Sequence, residues 1–169
     1  MDGPKIEVKI ENYRPEHFQA IQGFVEIIQD TESQLVSGLK SGAEIKEWYA
    51  QSLVDSIKSR QGVILVATAE DSAKKDLAIG FVCAWIEEDD KLVVDSARQC
   101  AYISDICVSA DWRGHGVAAL LLQAIEKRMQ ELGCQRIRLC AKNGNLAATK
   151  CYEGQGYQTY EIILAKALA

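Results

Sequence analysis

Residues 108–122 read Val108-Ser-Ala-Asp-Trp-Arg113-Gly-His115-Gly-Val-Ala118-Ala-Leu-Leu-Leu122. An apolar strand, Tyr102 to Val108, leads into a glycine-bearing turn that opens directly into a helix, Val117 to Leu132. Leu120, Leu121, Ala124, Ile125 and Leu132 give that helix an apolar side, and Gly133 ends it. Gly114 and Gly116 permit backbone shapes that other residues resist, and they put no side chain over the neighbouring amides. Those amides, with the positive end of the helix dipole, make an anion site suited to a pyrophosphate, to which Arg113 can add charge. A tight strand-to-helix connection is the plainer reading of the same residues. No Gly-Lys-Ser/Thr follows, so this is not a Walker loop, and Ala119 stands where a dinucleotide fingerprint needs a third glycine.

Working outward, the pattern predicts a mixed α/β layout around one sheet. Ile6 to Ile10 alternates as a strand with one polar face. Pro15 suits the first turn of a helix carrying Phe18, Ile21, Phe24, Val25 and Ile28. A polar stretch from Asp30 to Gly42 reads as a loop or broken helix, before a second helical stripe of Ile45, Trp48, Tyr49, Leu53 and Ile57. Val63–Ala67 and Leu77–Ile86 read as strands joined across a charged turn, with an acidic turn, Glu87 to Asp90, after them. Arg136–Ala141 is a further strand, Leu146–Glu153 a short helix and Tyr157–Leu164 a last strand. No repeat or linker interrupts the chain, so residues 1–169 are expected to form a single domain.

Composition removes several function classes. Nineteen Lys+Arg against 24 Asp+Glu leave a net charge of −5, which argues against a general nucleic-acid binder. No apolar run approaches the ~20 residues of a membrane helix, and Met1 to Glu11 lacks the apolar core of a signal peptide. A cytoplasmic location with no membrane partner is the expectation. The six cysteines form no C-x-x-C pair, and there are only two histidines, His17 and His115; the thiols read as reduced packing residues, and no metal is expected.

Arg113-Gly-His-Gly116-Val-Ala118 resembles the Arg/Gln-x-x-Gly-x-Gly/Ala signature of the GCN5-related N-acetyltransferases. A second stretch, Asn145-Leu-Ala-Ala148-Thr-Lys-Cys-Tyr152-Glu-Gly-Gln-Gly156-Tyr157, is similar to that family's Asn-x-x-Ala-x-x-x-Tyr-x-x-x-Gly-Tyr/Phe motif, position for position. The resemblance covers nearly the whole chain and is weakest from about residue 30 to 60. It implies a central mixed sheet flanked by about four helices, with acetyl-CoA as co-substrate and a primary amine as acceptor. It further implies pyrophosphate binding by the backbone of Arg113, Gly114, His115, Gly116, Val117 and Ala118. Ile106, Cys107 and Val108 would face the pantetheine arm, Ile106 would polarise the thioester oxygen, and Asn145 would support the arm while also capping a helix.

Tyr152 takes the family's general-acid position, protonating the departing thiolate. Asp105, a carboxylate in an apolar strand, is either the base or an anchor for a strand bulge. Many relatives carry Glu-Asp here, whereas this chain has Ser104 at the first position, which leaves a base acting through water as a further option. His115 reads as solvated, and Cys107 and Cys151 as packing. The rival functions are a non-catalytic acyl-CoA sensor and an acyltransferase with another acyl chain or a hydroxyl acceptor. Lys142 and Lys150 lie on the cofactor side, whereas Asp30, Glu32 and the Glu87–Asp90 run lie near the acceptor loops, a distribution that leans towards a cationic amine. Homodimers are common among relatives.

Overall fold

The computed structural model describes residues 7–70, 76–166 and 168. Its described strands form one five-stranded sheet in the order β1-β2-β3-β4-β5, made of β1 (Val8–Asn12), β2 (Val63–Glu70), β3 (Asp76–Glu88), β4 (Gln99–Val108) and β5 (Arg136–Leu139). Neighbouring strands are antiparallel except β4 and β5, which are parallel, as the crossover through α3 (Val117–Glu131) requires. The remaining helices are α1 (Phe18–Ser33), α2 (Gly42–Ser59) and α4 (Leu146–Gly154).

Both faces of the sheet are covered, which explains the near-continuous apolar runs of β2 and β3. Along β3, side chains alternate between two cores. Phe81, Cys83 and Trp85 pack with Ile21, Phe24, Val25 and Leu53 of α1 and α2, and the rings of Phe24 and Phe81 stack at 5.7 Å. Val82 and Ala84 pack instead with Leu121, Leu122, Ile125 and Met129 of α3. Each fully buried side chain of this size contributes about 1.5–3 kcal/mol by leaving water. The helix stripe is therefore rotated from the expected one: Leu121 and Ile125 are buried, but Leu120 and Leu132 are exposed.

Most expected elements are present, with shifted ends. The first strand lies at Val8–Asn12, and Ile6 falls outside the described residues. A short 3-10 turn, Pro15–His17, precedes α1, which runs on to Ser33, into the stretch read as a loop. The Ser41 backbone N–H and hydroxyl donate to the Glu44 carboxylate at 2.9 and 2.7 Å, and so fix the start of α2. Residues 71–75 of the charged turn after β2 lie outside the described residues. Glu87 and Glu88 extend β3 rather than forming a turn, because their side chains have arginine partners in β5 and in the approach to β4. The expected strand Tyr157–Leu164 is not one: residues 157–166 hold no regular structure and pair with no strand among the described residues. Apolar content alone does not make a strand, because its hydrogen bonds need a partner backbone.

Candidate active site

The bulge between β3 and β4 sets up the site. Cys83 lies opposite Asp105 and Ala84 opposite Ile103, so Ser104 is an extra residue in β4. Its hydroxyl reaches the Cys83 carbonyl at 3.4 Å. On the other side, β4 pairs with β5 only as far as Ile103 opposite Leu139. Beyond that point β4 keeps β3 on one side and has no strand on the other, so the Asp105–Val108 backbone has an open edge among the described residues. Ile106, Cys107 and Val108 lie on this segment.

At its end, β4 turns through Ser109 and the short 3-10 turn Ala110–Trp112. Ser109 N donates to the Ile79 carbonyl at 2.8 Å, and Arg113 Nε donates to the Val108 carbonyl at 3.2 Å, so the turn is pinned to the strand it leaves. Gly114 and Gly116 both have left-handed backbone, with φ of 77° and 80°, and a Cβ at either would meet nothing within 4 Å. The space above the turn is open, and the first amides of α3, from Val117 and Ala118, have no carbonyl one turn back to bond. These are the conditions for anion capture at a helix start. His115 is exposed, as expected, and its Nδ1 lies 2.9 Å from the Arg113 carbonyl while its ring meets Trp112 edge-on, so a solvated side chain also braces the turn.

Asp105 is 7% exposed, and burial pushes its carboxyl up to about 6. Its Oδ2 accepts a hydrogen bond from the Tyr49 hydroxyl of α2 at 3.1 Å. The sequence reading placed Tyr49 only on an apolar stripe. A tyrosine on the buried face of a helix must give its hydroxyl a partner, and that was the available signal. Tyr152, half-buried on α4 with its ring 6.1 Å from that of Tyr157, has its hydroxyl pushed up to about 12, mainly by burial. The charges of Glu32 and Asp105 raise it further, which brings β4, α1 and α4 to one region. Burial also pushes the Cys107 thiol up to about 11, which keeps it protonated and inert at neutral pH. Asn145 caps α4, its Oδ1 accepting from Ala148 N at 3.2 Å.

The acidic run has a different job from the one charge distribution suggested. Glu87 pairs with Arg138 at 2.7 Å, Asp89 bridges Arg136 and Arg138, and Glu88 pairs with Arg98. Glu87 and Asp89 tie the end of β3 to β5 across β4, and Glu88 ties it to the approach to β4, instead of facing an acceptor. Asp30 holds Gly42 N at 2.6 Å, and Glu32 faces Lys142 at 3.9 Å. The charges of Glu32 and Asp105 both reach Tyr152 and raise its hydroxyl. A hollow of about 450 Å³ lined by Phe18, Ala43, Glu44, Glu47, Trp48 and Gln51 shares no residue with this cluster.

Residues 23–157 match the Acetyltransferase (GNAT) family. Over 62 residues the chain is 36% identical to N-alpha-acetyltransferase 30 of Saccharomyces cerevisiae, covering 37% of this chain and 35% of that protein. Over 69 residues it is 35% identical to an acetyltransferase of Pectobacterium atrosepticum, covering 41% and 48%. A chloroplastic GCN5-related N-acetyltransferase of Arabidopsis thaliana matches at 36% over 62 residues, which is 21% of its length. These matches thus span from about a fifth to half of the relatives they reach. In fold, the chain is similar to an aminoglycoside N-acetyltransferase in complex with CoA (TM-score 0.70, 18% identity, 99% of both chains). It is similar also to a putative acetyl transferase from Pyrococcus furiosus (TM-score 0.69, 27% identity, 96% of this chain and 100% of that one).

Proposed function

The chain belongs to the GNAT acetyltransferase family, and on that premise we propose that it transfers the acetyl group of acetyl-CoA to a primary amine by direct attack. The observation that supports the reading is the buried Asp105 on β4, next to the open strand edge that leads into the glycine turn. CoA suits the site: it carries a pyrophosphate for the helix start and an extended, amide-bearing arm for an unpaired strand edge.

Bound there, acetyl-CoA supplies an activated thioester. The backbone from Arg113 to Ala118 holds the pyrophosphate, and the Arg113 guanidinium adds charge from its Nη side, its Nε being bonded to Val108. Ile106, Cys107 and Val108 line the arm, with the Ile106 amide directed to the thioester oxygen, where negative charge develops. Asn145 orders the start of α4 next to the arm. Asp105, ionised above about pH 6, takes the proton from the acceptor ammonium, directly or through one water. The amine forms the new C–N bond as the C–S bond breaks, and the second proton that the nitrogen then sheds passes through solvent to restore Tyr152. Tyr152, protonated at any working pH, donates to the leaving sulfur. Glu32 and Asp105 give the acceptor side a negative field, which favours a cationic amine.

Thiol released from acetyl-CoA, followed with a thiol reagent across a panel of polyamine, aminoglycoside, amino acid and peptide N-terminal amines, tests this. Release that depends on one of these amines supports it. Tight acetyl-CoA binding with no turnover on any amine would replace it with a non-catalytic acyl-CoA-binding domain.

A further inference from the structure

Tyr152 sits on a helix too short to hold itself. α4 has 9 residues, none of them fully buried, and an isolated helix of that length is marginal in water. Asn145 caps its start. Its end turns through Gln155 and Gly156, whose φ of 89° is left-handed, into Tyr157. The backbone N–H groups of Gln155 and Tyr157 both donate to the Tyr152 carbonyl, at 2.9 and 3.1 Å. Two side-chain bonds then fasten this turn to α3. The Tyr157 hydroxyl donates to Glu126 Oε1 at 2.8 Å, and Gln123 Nε2 donates to Gln155 Oε1 at 3.1 Å. Gln123 and Glu126 are three residues apart, on one face of α3. The two bonds differ in weight. Gln123 is exposed, whereas Glu126 and Tyr157 are half-buried, and a phenol donating to a carboxylate makes the stronger kind of bond. Burial and Glu126 together push the Tyr157 hydroxyl well above the ordinary tyrosine value, so it stays a donor.

We propose that Glu126 is a positioning residue for the transfer: through Tyr157 it sets the Tyr152 ring, and so the direction in which the proton reaches the leaving sulfur. The inference rests on the reading of Tyr152 as the acid. The rings of Tyr152 and Tyr157 lie 6.1 Å apart, tilted by 57°, and both pack on the core that α3 helps to form. A shift of Tyr157 is therefore passed to Tyr152 through the ring contact and through the carbonyl they share. Glu126 lies in neither sequence motif, and it takes no part in bond-making. Its helix begins at the glycine turn, so α3 holds the cofactor's pyrophosphate at its start and the acid from its middle. Fixing both from one element keeps sulfur and hydroxyl in register, and catalysis falls steeply when reacting groups are misplaced.

Initial rates of thiol release from acetyl-CoA, with the panel amine that gives the fastest release, test this on the full chain. Glu126→Ala and Tyr157→Phe should each lower kcat about tenfold or more, with the KM for acetyl-CoA within about threefold of the parent. Tyr157→Phe keeps the ring and its packing, so it reads the bond alone even if Glu126→Ala loosens α3. Glu126→Gln, whose amide oxygen can still accept from Tyr157, should recover most of the rate. Added to Tyr152→Phe, Glu126→Ala should lower kcat no further, because the proton it aims is already gone. Amide exchange across Ala148–Glu153 should be faster in Glu126→Ala and Tyr157→Phe than in the parent. An equal loss on adding Glu126→Ala to the parent and to Tyr152→Phe would mark a merely structural role and overturn the proposal. An undiminished kcat in Glu126→Ala and Tyr157→Phe would overturn it alone, leaving the acid in place. An unchanged kcat in Tyr152→Phe, or a parent that turns over no amine, would instead remove the acid reading and this inference with it.

Discussion

The Tyr49 hydroxyl donates to Asp105 Oδ2 at 3.1 Å, linking α2 to the bulged part of β4 and giving a buried carboxylate a side-chain donor from another element. Because the bond favours the ionised form, it opposes the rise that burial imposes. Tyr49→Phe removes it. The rising limb of the kcat/KM–pH profile, set near 6 by Asp105, should then move up by about one pH unit, since a hydrogen bond to a charged group is worth about 1.5–3 kcal/mol. At pH 8.5 the loss of activity should be much smaller than at pH 6.5. A uniform loss at every pH would mean that Tyr49 only fills space.

Asp105 also ties stability to pH. Its native carboxyl binds a proton more tightly than the unfolded one, so its contribution is complete below about pH 4 and lost as pH rises through about 6. Above that, the buried charge costs on the order of 3 kcal/mol. Asp105→Asn should therefore gain melting temperature over the parent at pH 8 and gain little at pH 4.5, while turnover falls by about 10²–10⁴-fold. Thermal scans at the two pH values decide it, and a pH-independent difference would count against a raised carboxyl.

Tyr152→Phe keeps the ring that packs near Tyr157 and removes only the proton. Turnover should drop by about 10²-fold or more, with acetyl-CoA affinity within about threefold of the parent. Calorimetry for binding and initial rates for turnover separate the two; unchanged kcat would take Tyr152 out of the mechanism.

Asp89 is nearly buried between Arg136 and Arg138. Asp89→Asn should cost about 1–2 kcal/mol, the arginines being partly in water. It should leave the KM for a cationic acceptor unchanged, because the carboxylate braces the sheet. A raised acceptor KM at unchanged stability would return the acidic run to the acceptor site.

What the sequence disclosed was what is local. The strand–Gly114–Gly116–α3 transition, the Asn145 cap and the apolar runs of β2 and β3 depend on near neighbours, and each is present. What it hid depends on distant partners. The bulge at Ser104 is defined by Cys83, the charges of Glu87 and Asp89 are absorbed by arginines some 50 residues on, and Tyr49 meets Asp105 only after two helices cross the sheet. Tyr157–Leu164 failed as a strand for the same reason: its composition suits a sheet, but no strand among the described residues pairs with it.

Amide hydrogen exchange with and without acetyl-CoA tests the central claim, that the co-substrate lies along the open edge of β4 and over the turn that follows. Slowed exchange in Ile106–Val108 and Gly114–Ala118, with the helix face of Glu44, Glu47 and Trp48 unchanged, is the predicted result. Protection confined to that face, or none in either segment at saturating acetyl-CoA, would contradict it.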